Sequence, residues 1–445
     1  MEEMRGETVN TGQEESGQSA STDLEPLVLN KITARIVPFS IALYFVSFLN
    51  RVNVGFAALT MNKDLGLSSE MFGVGAGIFF VGYLLFGLPS NLLLNRVGAR
   101  RTISMMMLAW GALSGATAFV TGPYSFYAMR FAVGLAEAGF FPGIILYLSF
   151  WFPARHRAGV TAIFMAAAPL SNMVGAPISG AILEMNGFLH VKGWQWLFLL
   201  EAAPTVLLGA VSYFFLTDRP SQATWLKPDE RRWLVDEMAR ELAGKTSKSA
   251  VSVWSALRNL RVLGLALAYF GTSTGLYAVS IWTPLFLSKF GYSYVMLGLL
   301  TAIPNVVAIL GMVWWARSSD RRNERTLHCS IACLAAAVGM LVAGYSGGVL
   351  LLIAGLALAG FGINAAKPPL WSMPTQFLSG PAAAAAIALI NAVGSLGGTV
   401  GPIVMGKLKM QSGNYSSGMV YVAATLVLSS LLVLIAAPKK PVPSA

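Results

Sequence analysis

The chain has 445 residues, of which 55% are hydrophobic and 11% charged, with a mean hydropathy of +0.63. A water-soluble chain carries about 25% charged residues, so these proportions exclude a soluble globular protein. The net charge of +11 is not a nucleic-acid footprint: Lys and Arg concentrate in alternate loops between apolar runs, the positive-inside pattern of a membrane protein.

Residues 1–35 open polar and partly acidic up to Glu25, rich in Ser, Thr, Gly and Gln. They are expected to form a disordered cytoplasmic tail. No basic region precedes a short apolar core there, so no cleavable signal peptide is expected. Apolar runs then follow at 36–57, 71–94, 102–121, 125–147, 158–183 and 195–217. After a hydrophilic insert, six more follow at 262–287, 294–316, 327–345, 349–372, 384–405 and 416–437. Each is close to the ~20 residues a helix needs to cross a bilayer with its backbone satisfied internally.

The predicted fold class is therefore an all-α polytopic membrane protein of twelve spans in two six-helix halves, 36–217 and 262–437. The insert 218–261 reads as a cytoplasmic linker with a short amphipathic helix from Pro228 to Leu242, started by Asp229 and Glu230. Residues 438–445 are expected as a second cytoplasmic tail. Cys329 and Cys333 lie a helical turn apart in an apolar run and read as small buried hydrophobes, not metal ligands.

Basic loops recur at matching places in the two halves. Arg96, Arg100 and Arg101 stand between spans 2 and 3; Asp320, Arg321, Arg322 and Arg325 stand between spans 8 and 9. Such an internal echo points to a rocking transporter with its site at the interface of the halves. The first loop resembles the loop motif of the major facilitator superfamily through Arg96, Gly98, Arg100 and Arg101, with Asn91 and Asn95 in place of its Gly and Asp. The run from Arg130 to Gly143, the run from Asn50 to Gly55 and the run from Trp194 to Glu201 resemble the anion:cation symporter branch, whose members carry phthalate, tartrate, hydroxyphenylacetate and sugar acids. Ser319-Asp320-Arg321 with Glu324, Arg325 and His328 adds a further match.

Charges inside spans cost about 2.5–3.5 kcal/mol each even on the lenient insertion scale, so their default reading is functional. Arg51, Arg130, Glu137 and Lys367 qualify. Arg51 carries a fork that suits a carboxylate, or else pairs with Glu137. Glu137 is the candidate proton carrier, or a fixed partner of Arg51 or Arg130. Arg130 lies two turns away on the same side of its helix and either tunes Glu137 or holds packing. Lys367 precedes Pro368-Pro369, which should break or kink span 10. It is read as a second anion contact, against a lysine that snorkels to the cytoplasm. Asn391, Tyr44, Tyr83, Tyr277 and Trp371 are candidate cavity residues, with packing as the alternative for the aromatics. Glu201 is expected to be structural.

The resemblance implies a carrier that imports a small organic carboxylate with protons across a bacterial inner membrane by alternating access, as a monomer with both termini cytoplasmic. Its partners are the anion, protons and the bilayer, with no cofactor and no nucleic acid. The loops with Arg96, Arg100, Arg101, Asp320, Arg321 and Arg325 are expected to latch the inner side. Proton-coupled members carry Asp before the span 1 Arg, whereas this chain has Asn50. A proton-independent exchanger or facilitator is therefore the alternative, with a non-transporting ligand sensor more remote. No nucleotide loop or catalytic constellation argues for an enzyme.

Overall fold

A computed structural model describes residues 11–245, 258–378 and 380–436. Twelve helices are long and apolar enough to cross a membrane. Spans 1–6 are Leu24–Asp64, Ser69–Gly87, Ala99–Phe119, Pro123–Trp151, Ala154–Leu183 and Gly193–Phe215; the helix of span 2 continues to Val97. Spans 7–12 are Leu260–Ser288, Tyr294–Arg321, Thr326–Gly344, Val349–Phe377, Ala385–Ser412 and Ser416–Ala436. All twelve predicted runs are found. Local sequence starts several of them: the Ser68 hydroxyl accepts the Met71 N–H at 3.1 Å, and the Asn259 amide oxygen accepts the Arg261 N–H at 2.9 Å.

The expected disordered tail is corrected by the structure. The first helix begins at Thr11, and from Leu24 it is packed. Val28 and Ile32, one turn apart, are fully buried in a cluster with Trp233 and Leu234 of the linker helix Pro228–Lys245. Ion pairs reinforce the docking: Lys31 with Glu230, and Arg155 with Glu25 and Glu237. The polar opening of the chain hid an apolar stripe at helical spacing whose partner is some 200 positions away. Residues 1–10, 246–257 and 437–445, which include the second predicted tail, lie outside the described residues.

The halves touch along their outer ends. Gly55 meets the backbone of Ile281, Gly73 that of Pro402, and Gly180 that of Tyr294, each with no room for a Cβ. The Tyr294 N–H donates to Glu184 at 3.0 Å, and the Asn172 amide donates to the Ser280 hydroxyl at 3.3 Å. These contacts lie at the ends of the spans opposite the basic loops.

The basic loops accordingly hold their own halves. The Arg100 backbone N–H donates to Asp218 at 2.8 Å while its guanidinium covers the Tyr213 ring at 4.5 Å. Arg325 pairs with Asp320 and donates to Ser319. Arg96, Arg101 and Arg321 are exposed. Among the described residues no ion pair joins the two loops.

Glu324 starts span 9 by accepting the N–H groups of Leu327 at 2.7 Å and His328 at 2.9 Å, and it also meets the His328 ring at 2.8 Å. Burial pushes this carboxyl up, but those hydrogen bonds outweigh it and hold it below its ordinary value. The stabilisation is therefore present above the ordinary carboxylate range and is lost as pH falls through the depressed folded-state value. Glu324→Ala is expected to cost about 1 kcal/mol at neutral pH. Thermal unfolding in detergent should show the variant and the wild type converging at low pH.

Candidate functional site

Arg51 lies in span 1 two residues before Asn53, whose backbone is helical (φ −57°, ψ −26°) with its N–H on the Leu49 carbonyl at 3.0 Å. Glu137 lies in span 4 where the helix loosens at Ala138 and Gly139 before continuing from Phe140. Pro142 contributes to that loosening, since it has no N–H for the carbonyl of Ala138. Arg51 and Glu137 meet between these two spans.

Arg51 Nη2 and Glu137 Oε1 form an ion pair at 2.5 Å, with the two side chains 7% and 0% exposed. Such burial makes the pairing obligatory: either charge alone would be costly to hold. The Ser47 hydroxyl donates to the same carboxylate oxygen at 2.6 Å, while Oε2 has no hydrogen-bond partner among the described residues. Arg51 Nη1 donates to the Tyr277 hydroxyl at 3.1 Å. Tyr277 belongs to span 7, so one guanidinium ties the two halves together.

Aromatic rings complete the cation's surroundings. The Arg51 guanidinium lies 5.1 Å from the Tyr83 ring and 5.4 Å from that of Phe79. Arg130 reaches Phe79 too, at 4.9 Å. Phe79 thus carries two guanidiniums on its electron-rich surface. Arg130 is buried, and its Nε and Nη2 find no partner among the described residues.

Of the other predicted residues, Tyr277 and Tyr83 are placed at the pair. Tyr44 is not: it is buried against Phe48, Phe141 and Phe164, the last ring at 4.7 Å, which is the packing alternative. Trp371 packs edge-on to Tyr269 at 4.9 Å. The Asn391 side chain is half-buried and makes no hydrogen bond among the described residues; only its carbonyl is engaged, by Ser395.

Lys367 is half-buried and donates to the Asn364 side chain at 3.1 Å. The expected break beside it is corrected: the helix runs unbroken through Pro368 and Pro369 to Ser372. Each ring removes one helix hydrogen bond, to the carbonyls of Asn364 and Ala365, and the close packing of span 10 on span 9 through Gly355 and Gly362 holds the helix together all the same.

Residues the sequence reading passed over stand around the pair. Ser47 is one turn before Arg51 and shares its face, which was a signal in the spacing. Phe79 gave none. Asn50 donates to the carbonyls of Val46 and Glu201, both at 3.0 Å, and to the Thr205 hydroxyl at 3.2 Å. It is a structural amide that fixes span 1 against span 6.

Comparison with known proteins agrees with this architecture. The family model described as Major Facilitator Superfamily matches residues 41–402. The chain is 58% identical over 415 residues to a protein of Agrobacterium vitis named "Putative tartrate transporter", covering 93% of this chain and 96% of that one. It is 39% identical over 418 residues to the inner membrane transport protein RhmT of Escherichia coli K12, covering 93% and 96%. Its fold superposes on the partially occluded inward-open xylose transporter XylE from E. coli with a TM-score of 0.74 at 14% identity, over 93% of this chain and all of that one. The chain belongs to the major facilitator superfamily, and it is a multi-pass membrane transporter, not an enzyme.

Proposed function

We propose that this transporter imports a tartrate-like carboxylate together with protons across a bacterial inner membrane. The observation that carries the reading is the buried Arg51–Glu137 pair, tied through Tyr277 to the opposite half. An arriving carboxylate competes with Glu137 for the guanidinium fork. Once Arg51 turns to the substrate, Glu137 is a buried carboxylate without its cation, and taking up a proton removes that cost. Substrate binding and proton uptake thereby become one event.

Lys367 and Asn391 of span 10 and span 11 are the proposed contacts from the C-terminal half. A second cation suits a second carboxylate, and the amide suits a hydroxyl. The tartrate name of the Agrobacterium relative supports a small hydroxy-dicarboxylate. Arg130 is proposed to steady Phe79 and, through it, the position of Arg51. The loops with Arg96, Arg100, Arg101, Asp320, Arg321 and Arg325 would close the inner side in the opposite state.

Asn50 favours a second reading, exchange of anions without protons, because its amide cannot titrate. Uptake of labelled tartrate into proteoliposomes, with and without an inward proton gradient, separates the two. Gradient-driven accumulation is the expected result. Equal uptake in both conditions, with uptake driven only by anions preloaded inside, would establish exchange instead.

A further inference from the structure

Behind Asn50 lies a second buried carboxyl that the scheme above does not use. Glu201, in span 6, is 2% exposed. The Ser179 hydroxyl donates to its Oε1 at 2.6 Å, and Oε2 has no hydrogen-bond partner among the described residues. Span 5 presents Ser179 and span 1 presents Asn53 to the carboxyl, whereas Asn50 donates to the Glu201 backbone carbonyl and to Thr205. Span 3 packs alongside through Gly111 and Gly115, which touch Thr205, Val206 and Ala202. None of these groups is ionisable. Glu201 forms no ion pair among the described residues, and the charges closest in span 1 and span 4 are Arg51 and Glu137, which neutralise each other.

A carboxylate in such a place has one hydroxyl bond to set against the loss of hydration, whereas a carboxylic acid costs far less. Asn53, beside it, has both its side-chain oxygen and its side-chain nitrogen unpaired among the described residues, so this one amide can accept from the acid and donate to the carboxylate. Asn53 and Ser179 also line a narrow pocket of about 20 Å³ between the halves, with Asn172, Ser280, Thr283 and Asn305. That is room for about one water among polar partners. The pocket lies on the outer side of Arg51, where the halves part when the carrier opens outward.

We infer that Glu201 is a second proton-carrying site of the transport cycle, serving in place of the titratable side chain that position 50 lacks. The inference rests on the proton-coupled reading of the transporter. In the outward-open state, water in the widened pocket delivers a proton to Oε2 past Asn53. The neutral acid then travels with the loaded carrier and gives up the proton when span 1 shifts after substrate release. Asn50 and Asn53 flank Arg51 in span 1, so one movement of that stretch alters both carboxyls' surroundings.

The test compares wild type, Glu201→Gln, Glu201→Asp and Glu137→Gln in proteoliposomes, with labelled tartrate and a trapped pH dye. Each coupled proton multiplies the equilibrium accumulation by about ten per unit of pH gradient. Glu201→Gln should therefore lose about tenfold in accumulation and one proton per tartrate, and Glu201→Asp should regain both. Infrared spectra at neutral pH should show a buried protonated-carboxyl band that Glu201→Gln removes. An unchanged proton ratio in Glu201→Gln, or an infrared spectrum identical to wild type, would overturn the inference. If wild type and Glu137→Gln alike move no protons, proton coupling itself has failed, and that pattern is distinct from a loss confined to Glu201→Gln.

Discussion

Glu137→Gln is expected to remove one proton from the coupling and cut gradient-driven accumulation accordingly, while leaving exchange of labelled for unlabelled substrate across the membrane. Glutamine keeps the shape and one carbonyl oxygen for the Ser47 hydroxyl and the Arg51 guanidinium, which now bond at 2.6 and 2.5 Å. What it cannot do is alternate between charged and neutral. With a permanently neutral partner, Arg51 is always available to the anion, so binding survives and its dependence on pH is lost. Under a gradient of one pH unit the accumulation ratio should fall by about tenfold for the proton removed. Counterflow should stay within a few-fold of wild type. Accumulation equal to wild type in Glu137→Gln, together with an unchanged pH profile, would remove this carboxyl from the coupling scheme.

The second large effect is expected at Arg51. Arg51→Lys keeps the charge but replaces a planar fork with a point charge. It forfeits at least one charge-assisted hydrogen bond, worth about 1.5–3 kcal/mol, so the KM for tartrate should rise roughly ten- to a hundredfold. Arg51→Ala goes further, because Glu137, with its side chain 0% exposed, is left without a cation. Breaking a buried pair from one side costs about 3–5 kcal/mol. The double variant Arg51→Ala with Glu137→Gln should recover much of that stability and none of the transport. Thermal unfolding in detergent, beside substrate uptake, reads both quantities. A double variant as unstable as Arg51→Ala would show that the pair is not the source of the loss.

Arg51, Glu137, Arg130 and Lys367 were legible in the sequence because charge inside an apolar run is conspicuous. Their partners were less so. Arg51 and Glu137 are 86 positions apart, and their pairing was one of several alternatives until the packing of span 1 on span 4 placed them together. Tyr44 and Tyr277 look alike in the sequence, each an aromatic in a long apolar run. One is packed among phenylalanines and the other bonds Arg51 across the two halves. Only the direction in which each helix face points distinguishes them. Pro368-Pro369 misled because two prolines signal a break, yet packing against span 9 keeps the helix continuous despite the two bonds they remove.

The sequence by itself determined the class, the twelve spans, the duplicated halves and the cost-bearing charges. Those are consequences of how lipid treats backbone and charge, and they act on each segment alone. Tertiary structure decided everything that needs two distant segments at once. It folded Val28 and Ile32 against the linker helix in place of a disordered tail, because their apolar stripe found a partner. It closed the outer seam through Gly55, Gly73 and Gly180, where backbones approach too closely for any side chain. And it set the Asn50 side chain on the backbone carbonyl of Glu201, 151 positions away, so that span 1 and span 6 are pinned together.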